Sequence, residues 1–313
     1  MAGSNPSLID MARKLIRFIG VIVLSYLTLL CFCARDDRNS NQYLAAQLDK
    51  IALLRQTPSP RLVLVGGSNL AFGIDSSRLR QALGVPVVNM GMHAGLGLKY
   101  MLDCIRPLLR KDDWVVIVPE YEQFVGNTFE GNFNLVTLCM ITHEVADLRY
   151  LRPAYLLEDN WAIRDWRPRP QRDPIAPYTR DSFNRDGDVI AHLNMPARPF
   201  KVKGWGQLEH QLNYQAVQYL ADFVVECERG GIKTLWLFPC RSQSSYQADL
   251  ATVSQVATAL QKRVPHMAPE LPGDFVYEDR FFYDTSYHMN AAGRALHTGR
   301  MIQALSAWMN ARQ

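Results

Sequence analysis

The apolar positions of this chain fall into runs of distinct kinds. From Leu15 to Ala34 the sequence LIRFIGVIVLSYLTLLCFCA is almost unbroken, with Arg17 its one charge. About 20 such residues are what a helix needs to cross a hydrocarbon core of roughly 30 Å. The pattern predicts a transmembrane anchor over 13–34 after a short tail, 1–12. A cleaved signal peptide is the alternative, but no A-x-A-like site follows the run, and the residues before Cys31 and Cys33 are too bulky for a lipoprotein cleavage box. Asn41 to Leu54 then shows helical apolar spacing, read as a stalk within 35–60 that ends at Pro58 and Pro60.

Beyond the stalk the runs shorten. Leu62 to Val65, Val85 to Val88, Trp114 to Val118, Thr234 to Phe238 and Phe275 to Tyr277 are continuous apolar stretches, with helical patterns between most of them. Strands buried on both faces and alternating with helices imply an α/β domain with a parallel sheet, over 61–313. The interval 121–208 breaks the rhythm, and its section Arg167 to Arg180 is rich in Pro and Arg. It reads either as an insertion over the ligand-binding edge of the sheet or as an inert surface excursion. The last segment is an amphipathic helix with Leu296, Ile302, Leu305 and Trp308 on one face, and Asn290 as its N-cap.

Composition narrows the function classes. Apolar residues are 48% and charged residues 20% of the 313, a folding rather than a disordered mixture. The net charge of +4 is scattered, without the aromatic-interleaved basic stripe that nucleic acid calls for. The six cysteines form no CxxC pair and no Cys/His group at zinc spacing, so no structural metal is expected and buried free thiols are the favoured reading, with one disulfide as the alternative. Arg13, Lys14 and Arg17 precede the apolar run, whereas Arg35 and Arg38 are interleaved with Asp36 and Asp37. That bias favours a cytoplasmic N-terminus and an extracytoplasmic domain.

Two segments carry chemistry. In Leu62-Val-Leu-Val-Gly-Gly-Ser68-Asn69 a strand runs into small residues and a Ser at its carboxyl end, where open α/β sheets place ligands. Ser68 is a candidate nucleophile there, although a Ser capping the next helix would look the same. Near the C-terminus, Asp284-Thr-Ser-Tyr-His288-Met-Asn290 puts a carboxylate and an imidazole on one loop. A Ser hydroxyl needs a neutral imidazole as base, and the imidazole needs an acceptor to fix its tautomer.

On these blocks, GGSN and DTSYHMNAAG, together with Asn89-Met-Gly91-Met-His93-Ala-Gly95, the sequence from Arg61 to Met301 resembles the SGNH/GDSL hydrolase superfamily. Its likeness is greatest to the membrane-anchored SGNH proteins of cell-envelope acylation, such as those of alginate O-acetylation and lipoteichoic-acid D-alanylation. The resemblance implies a flavodoxin-like three-layer parallel-sheet sandwich, Ser68 as nucleophile, His288 as base, Asp284 as its orienter, and no cofactor. It also implies a single-pass protein of the bacterial inner membrane with a periplasmic domain, a cell-envelope polysaccharide as acyl acceptor, and a membrane-bound O-acyltransferase as partner.

Three departures stand out. The nucleophile block is GGSN rather than GDS. Asp284 lies one residue farther from the His than is usual, with Asp279 as a weaker substitute. Where the family carries an oxyanion-hole Asn after the third strand, this chain has Val118-Pro-Glu120-Tyr121. The oxyanion hole is therefore expected from the N–H groups of Ser68 and of Gly91 or Gly95, aided by the Asn69 side chain, with Asn127 and Asn132, early in the insertion, as alternative donors that would have to fold back. Loss of one such donor costs about 3 to 4 kcal/mol in serine hydrolases, which points to a slow or specialised enzyme. His93 reads as a loop histidine or a site-lining one, Glu120 receives no catalytic role, and Trp161, Trp166 and Trp205 stack on sugars or pack. Three functions compete: an O-acyltransferase, a carbohydrate esterase of the same mechanism, and a catalytically inactive scaffold that binds glycan or recruits an acyltransferase.

Overall fold

The computed structural model describes residues 8–33, 38–126, 128–152, 175–200, 202 and 211–312, with side chains of the first helix described over 11–25. The chain divides into two units, Met1–Arg38 and Asn39–Gln313. In the first, α1 (Leu8–Cys33) leaves Leu15, Ile16, Phe18, Val21 and Leu24 exposed. Among the described residues no helix is long and apolar enough to cross a membrane. The transmembrane expectation for 13–34 thus has no support from them, and the side chains of its second half, Cys31 and Cys33 included, lie outside the described residues.

The second unit begins earlier than the sequence suggests. A short turn of helix at Tyr43–Ala45 leads into α2 (Ala46–Gln56), and Tyr43, Leu44, Ala45, Ala46 and Leu54 are buried in the main core. The segment expected to be a stalk is part of the domain. Its apolar spacing serves a packed face, and buried Lys50 donates to the carbonyls of Asn89, Gly91 and Gly187 at 2.8, 2.7 and 2.5 Å.

Four parallel strands form the central sheet: β1 (Leu62–Gly66), β2 (Val87–Asn89), β3 (Trp114–Val118) and β4 (Lys233–Trp236), in the order β2-β1-β3-β4. Val63 pairs with Val88 on one side and Val115 on the other. All of β1, β2 and β3 is buried, which is why these strands read as continuous apolar runs rather than alternating ones. The run at 275–277 behaves differently. Val276–Tyr277 (β6) pairs with Arg241–Ser242 (β5) in a separate two-stranded parallel ribbon.

Two short helices, α3 (Ser68–Gly73) and α4 (Ser76–Leu83), follow β1, and α5 (Leu98–Ile105) follows β2. Right-handed crossovers that run from β1 outward to β2 and then back past β1 to β3 place these helices on opposite faces of the sheet. The order therefore reverses between β1 and β3, and a doubly wound sheet opens its ligand crevice at that reversal, at the carboxyl ends of the strands. The remaining helices described are α6 (Phe133–Thr142), α7 (Tyr214–Arg229), α8 (Gln243–Ala248), α9 (Leu250–Arg263) and α10 (Ala291–Asn310). Asn290 caps α10 by accepting from the Gly293 N–H at 3.0 Å. Of the apolar face read for α10, Leu305 is buried and Ile302 and Trp308 pack against the core, while Leu296 is 50% exposed; Gly293, Arg294, His297 and Met301 are buried as well.

The described parts of 121–208 are tied to the domain. Asp188 accepts from the Ser76 N–H and hydroxyl at 2.9 and 2.6 Å, from the Asn89 amide at 2.9 Å and from Arg294 at 2.9 Å. The Val189 N–H donates to the Ala71 carbonyl at 2.8 Å. An inert excursion would not bury these groups.

Candidate active site

Ser68 opens α3 at the carboxyl end of β1, and the chain reaches it through two glycines, Gly66 facing β3 and Gly67 facing Glu120 just past it. A methyl group on Gly66 would overlap the Val118 carbonyl, and one on Gly67 would overlap the Glu120 carboxyl. The GG doublet is thus required by the close approach of the two strand ends, not by a left-handed turn.

His288 comes from the loop between β6 and α10. That loop closes on itself: Phe282 bridges Met289, the Tyr283 N–H donates to the His288 carbonyl at 2.7 Å, and the Asn290 N–H donates to the Phe281 carbonyl at 2.9 Å. Inside it the N–H groups of Tyr287 and His288 both donate to the Thr285 hydroxyl, at 3.2 and 3.1 Å. This turn absorbs the additional residue between Asp284 and His288.

The sequence-expected trio meets. His288 Nε2 lies 2.8 Å from Ser68 Oγ, and Nδ1 lies 2.8 Å from Asp284 Oδ1. Asp279, the substitute carboxylate, is elsewhere, accepting from the Ser244 N–H at 3.0 Å. The imidazole is 4.0 Å, centroid to centroid, from the Phe72 ring and within 7° of parallel to it, which fixes its plane. Comparison with family models, curated proteins and solved structures gives no match.

Several partners of the trio left no signal in the sequence. The Tyr178 hydroxyl, from the Pro- and Arg-rich stretch, donates to Asp284 Oδ2 and stands 3.3 Å from His288 Nδ1. Burial alone would raise the Asp284 carboxyl, but the hydrogen bonds and charge of His288 and the bond from Tyr178 hold it below its ordinary value. His192 packs against Phe72 with ring centroids 4.8 Å apart and tilted by 51°, and donates through Nε2 to the Met289 carbonyl at 2.8 Å, and burial pushes its pKa down to about 4.

The expected oxyanion donors fare unequally. The Gly91 N–H donates to Asn89 Oδ1 at 2.9 Å and the Gly95 N–H to His93 Nδ1 at 3.0 Å, so both are engaged within their own loop. The Asn69 side chain donates to the Val118 carbonyl at 3.1 Å, and its backbone N–H to Glu120 Oε1 at 3.0 Å. Of the four, the Ser68 N–H alone has no acceptor among the described residues. Asn132 does fold back, against Gly95, where its Oδ1 accepts from Asn134. Asn127, Trp161, Trp166 and Trp205 lie outside the described residues.

His93 is half-buried, and because its Nδ1 accepts from Gly95 its proton sits on Nε2. Burial, then the charge of His288, push it down to about 4, so it is neutral at pH 7. Glu120, at the end of β3, is 4% exposed, and its Oε1 stands 3.1 Å from Ser68 Oγ. Among the described residues no His, Cys, Asp or Glu group is arranged to hold a metal ion. Cys139, Cys227 and Cys240 are buried free thiols, and Cys104 is a half-buried one.

Proposed function

We propose that this chain is a serine acyl-transfer enzyme of the SGNH type, which moves an acyl group, acetyl in the simplest case, onto a hydroxyl of an extracytoplasmic polysaccharide. The observation that carries it is the continuous relay Asp284–His288–Ser68, with both links at 2.8 Å, at the carboxyl end of β1, beside the reversal of the sheet order. In the forward half-reaction Ser68 Oγ bonds to the acyl carbon, its proton passes to His288 Nε2, and the carbonyl electron pair moves to oxygen. Collapse expels the donor's leaving oxygen, which takes the proton from His288. The acceptor hydroxyl then repeats the sequence on the acyl-Ser68. Asp284 accepts from Nδ1–H throughout and stabilises the imidazolium.

The polysaccharide acceptor, the inner-membrane anchor over 13–34 and the membrane-bound acyltransferase partner belong to this reading through the likeness of the GGSN and DTSYHMN blocks to envelope acylation proteins. Its test uses the full-length chain and p-nitrophenyl acetate. Acetyl should appear on Ser68 in the wild type, vanish in Ser68→Ala and nearly vanish in His288→Ala, because members of a triad act as a unit. Added envelope polysaccharide should speed turnover. Acetate release unaffected by polysaccharide would make the protein a carbohydrate esterase, and equal labelling of wild type and Ser68→Ala would leave only a non-catalytic scaffold. A reporter fused after Gln313 should be active outside the cytoplasm, and activity confined to a cytoplasmic reporter would reverse the topology.

A further inference from the structure

Ser68 has one hydroxyl hydrogen and two neighbours that the same oxygen touches: His288 Nε2 at 2.8 Å and Glu120 Oε1 at 3.1 Å. A hydroxyl donates once, so both contacts are hydrogen bonds only when one neighbour supplies a proton of its own. Either the Glu120 carboxyl is protonated and donates to Oγ, while Ser68 donates to a neutral His288, or His288 is an imidazolium that donates to Oγ, while Ser68 donates to a Glu120 carboxylate. The two arrangements hold the same number of protons. Only the first leaves His288 free to accept the Ser68 proton, and it requires Glu120 to be a neutral acid.

The oxyanion hole is also short of donors, since the Gly91, Gly95 and Asn69 N–H groups are all committed. The oxyanion that forms on attack is bonded to the same carbon as Oγ, so a donor in contact with Oγ has that oxygen within reach. On this geometry, and resting on the acyl-transfer reading above, we propose that Glu120 is a catalytic residue, a protonated carboxylic acid that hydrogen-bonds to the oxyanion in place of an amide donor. As Oγ bonds to the acyl carbon its proton goes to His288 Nε2, the carbonyl π pair goes to oxygen, and the Glu120 O–H turns from Oγ to that oxygen. The Glu120 proton is lent as a hydrogen bond and not transferred, so it returns to Oγ when the intermediate collapses.

The surroundings suit a neutral acid. Glu120 is buried on every side, with its Oε1 in the space next to Gly67. The titratable and charged groups that face it are Glu122 from its own turn, Arg241 and Cys240 from the segment of β5, Tyr43 from the turn before α2, and Tyr287 from the closing loop, with His288 beyond Ser68. Burial first, then the charge of Glu122, raise its pKa to about 7, against the Asn69 N–H bond, the charge of Arg241 and the Ser68 hydroxyl, which favours the carboxylate only in the arrangement where Ser68 donates to it. An ionised Glu120 would instead place a negative charge beside the developing oxyanion.

The test is the pH profile of Ser68 acetylation by p-nitrophenyl acetate in the full-length chain, followed by mass spectrometry of the intact protein. In the wild type the rate should fall about tenfold per pH unit above the point where Glu120 ionises. Glu120→Gln carries an amide donor that does not titrate, so the alkaline fall should be absent and at pH 9 it should outpace the wild type. Glu120→Ala should be slowed about 10²-fold or more near pH 6, the cost of one oxyanion donor. Should Glu120→Ala fail to fold, Glu120→Asp serves, with a lowered rate and a retained alkaline fall. A wild-type alkaline fall that persists in Glu120→Gln, or a wild type with none, overturns the proposal while leaving Ser68 labelling intact. Failure of the wild type to label Ser68 at any pH sinks the acyl-transfer reading itself.

Discussion

His288 is constrained through three independent contacts: Asp284 holds one ring nitrogen, Ser68 faces the other, and Phe72 lies flat against the ring. Rotation of the imidazole would break all three at once. Asp284→Asn should therefore leave the fold intact and slow Ser68 acetylation by about 10³- to 10⁴-fold, because an amide can present its N–H to Nδ1 and hold the wrong tautomer. Tyr178→Phe is a milder lesion, since Asp284 keeps His288 as partner. A hydrogen bond to a charged group contributes about 1.5 to 3 kcal/mol, so a slowing of roughly 10- to 100-fold is expected, measured on the same labelling reaction at pH 7. Equal rates for Tyr178→Phe and wild type would reduce Tyr178 to a packing residue. Asp284 and His288 were legible in the sequence because they share one short loop. Tyr178 was not, since it meets Asp284 across 106 residues and comes from a stretch whose composition signals only irregular backbone.

Among the elements, β1 and β3 do most to place the site, and the residues that immediately precede them are pinned together. Arg61 and Asp113, both fully buried, pair at 3.1 Å, and Asp113 also accepts from the Arg110 N–H at 2.9 Å. Removing one partner of a buried pair costs about 3 to 5 kcal/mol, so Asp113→Ala should lower the unfolding free energy by that amount, read from the shifted midpoint of a denaturant titration. Gly66→Ala should be at least as disruptive, because the methyl meets a backbone carbonyl of β3 that cannot move aside. Buried parallel strands announce themselves as apolar runs, which is why β1, β2, β3 and β4 could be read directly. The run at 275–277 looked the same, since an apolar run records burial and not which neighbour a strand takes. The helix at Asn41 to Leu54 was legible as a helix but misread as a stalk: its packed face is short, and Lys50, the residue that locks it to the glycine loop, looks like a surface residue in sequence.

For the molecule as a whole, two carboxyls of the site, buried Glu120 and half-buried Asp284, pull stability in opposite directions with pH. Asp284 is held below its ordinary 3.8, so its contribution is present above that value and is lost as pH falls through its lower folded value. Glu120 is raised from 4.5 to about 7, so its contribution is full below 4.5 and is lost as pH rises through 7. The Tm of Glu120→Gln minus that of the wild type should therefore grow between pH 5 and pH 8, and a flat difference would mean that Glu120 does not titrate in that window. The site draws on Ser68 near one end of the chain, Glu120 and Tyr178 in the middle, and Asp284 and His288 near the other end. Ser68 and His288 are separated by 220 positions. On a ribosome Ser68 is made long before the His288 that it meets exists. A chain cut short at Phe281 should accordingly leave Ser68 unlabelled by p-nitrophenyl acetate, so that on the proposed acyl-transfer reading the chemistry begins only once synthesis has passed His288.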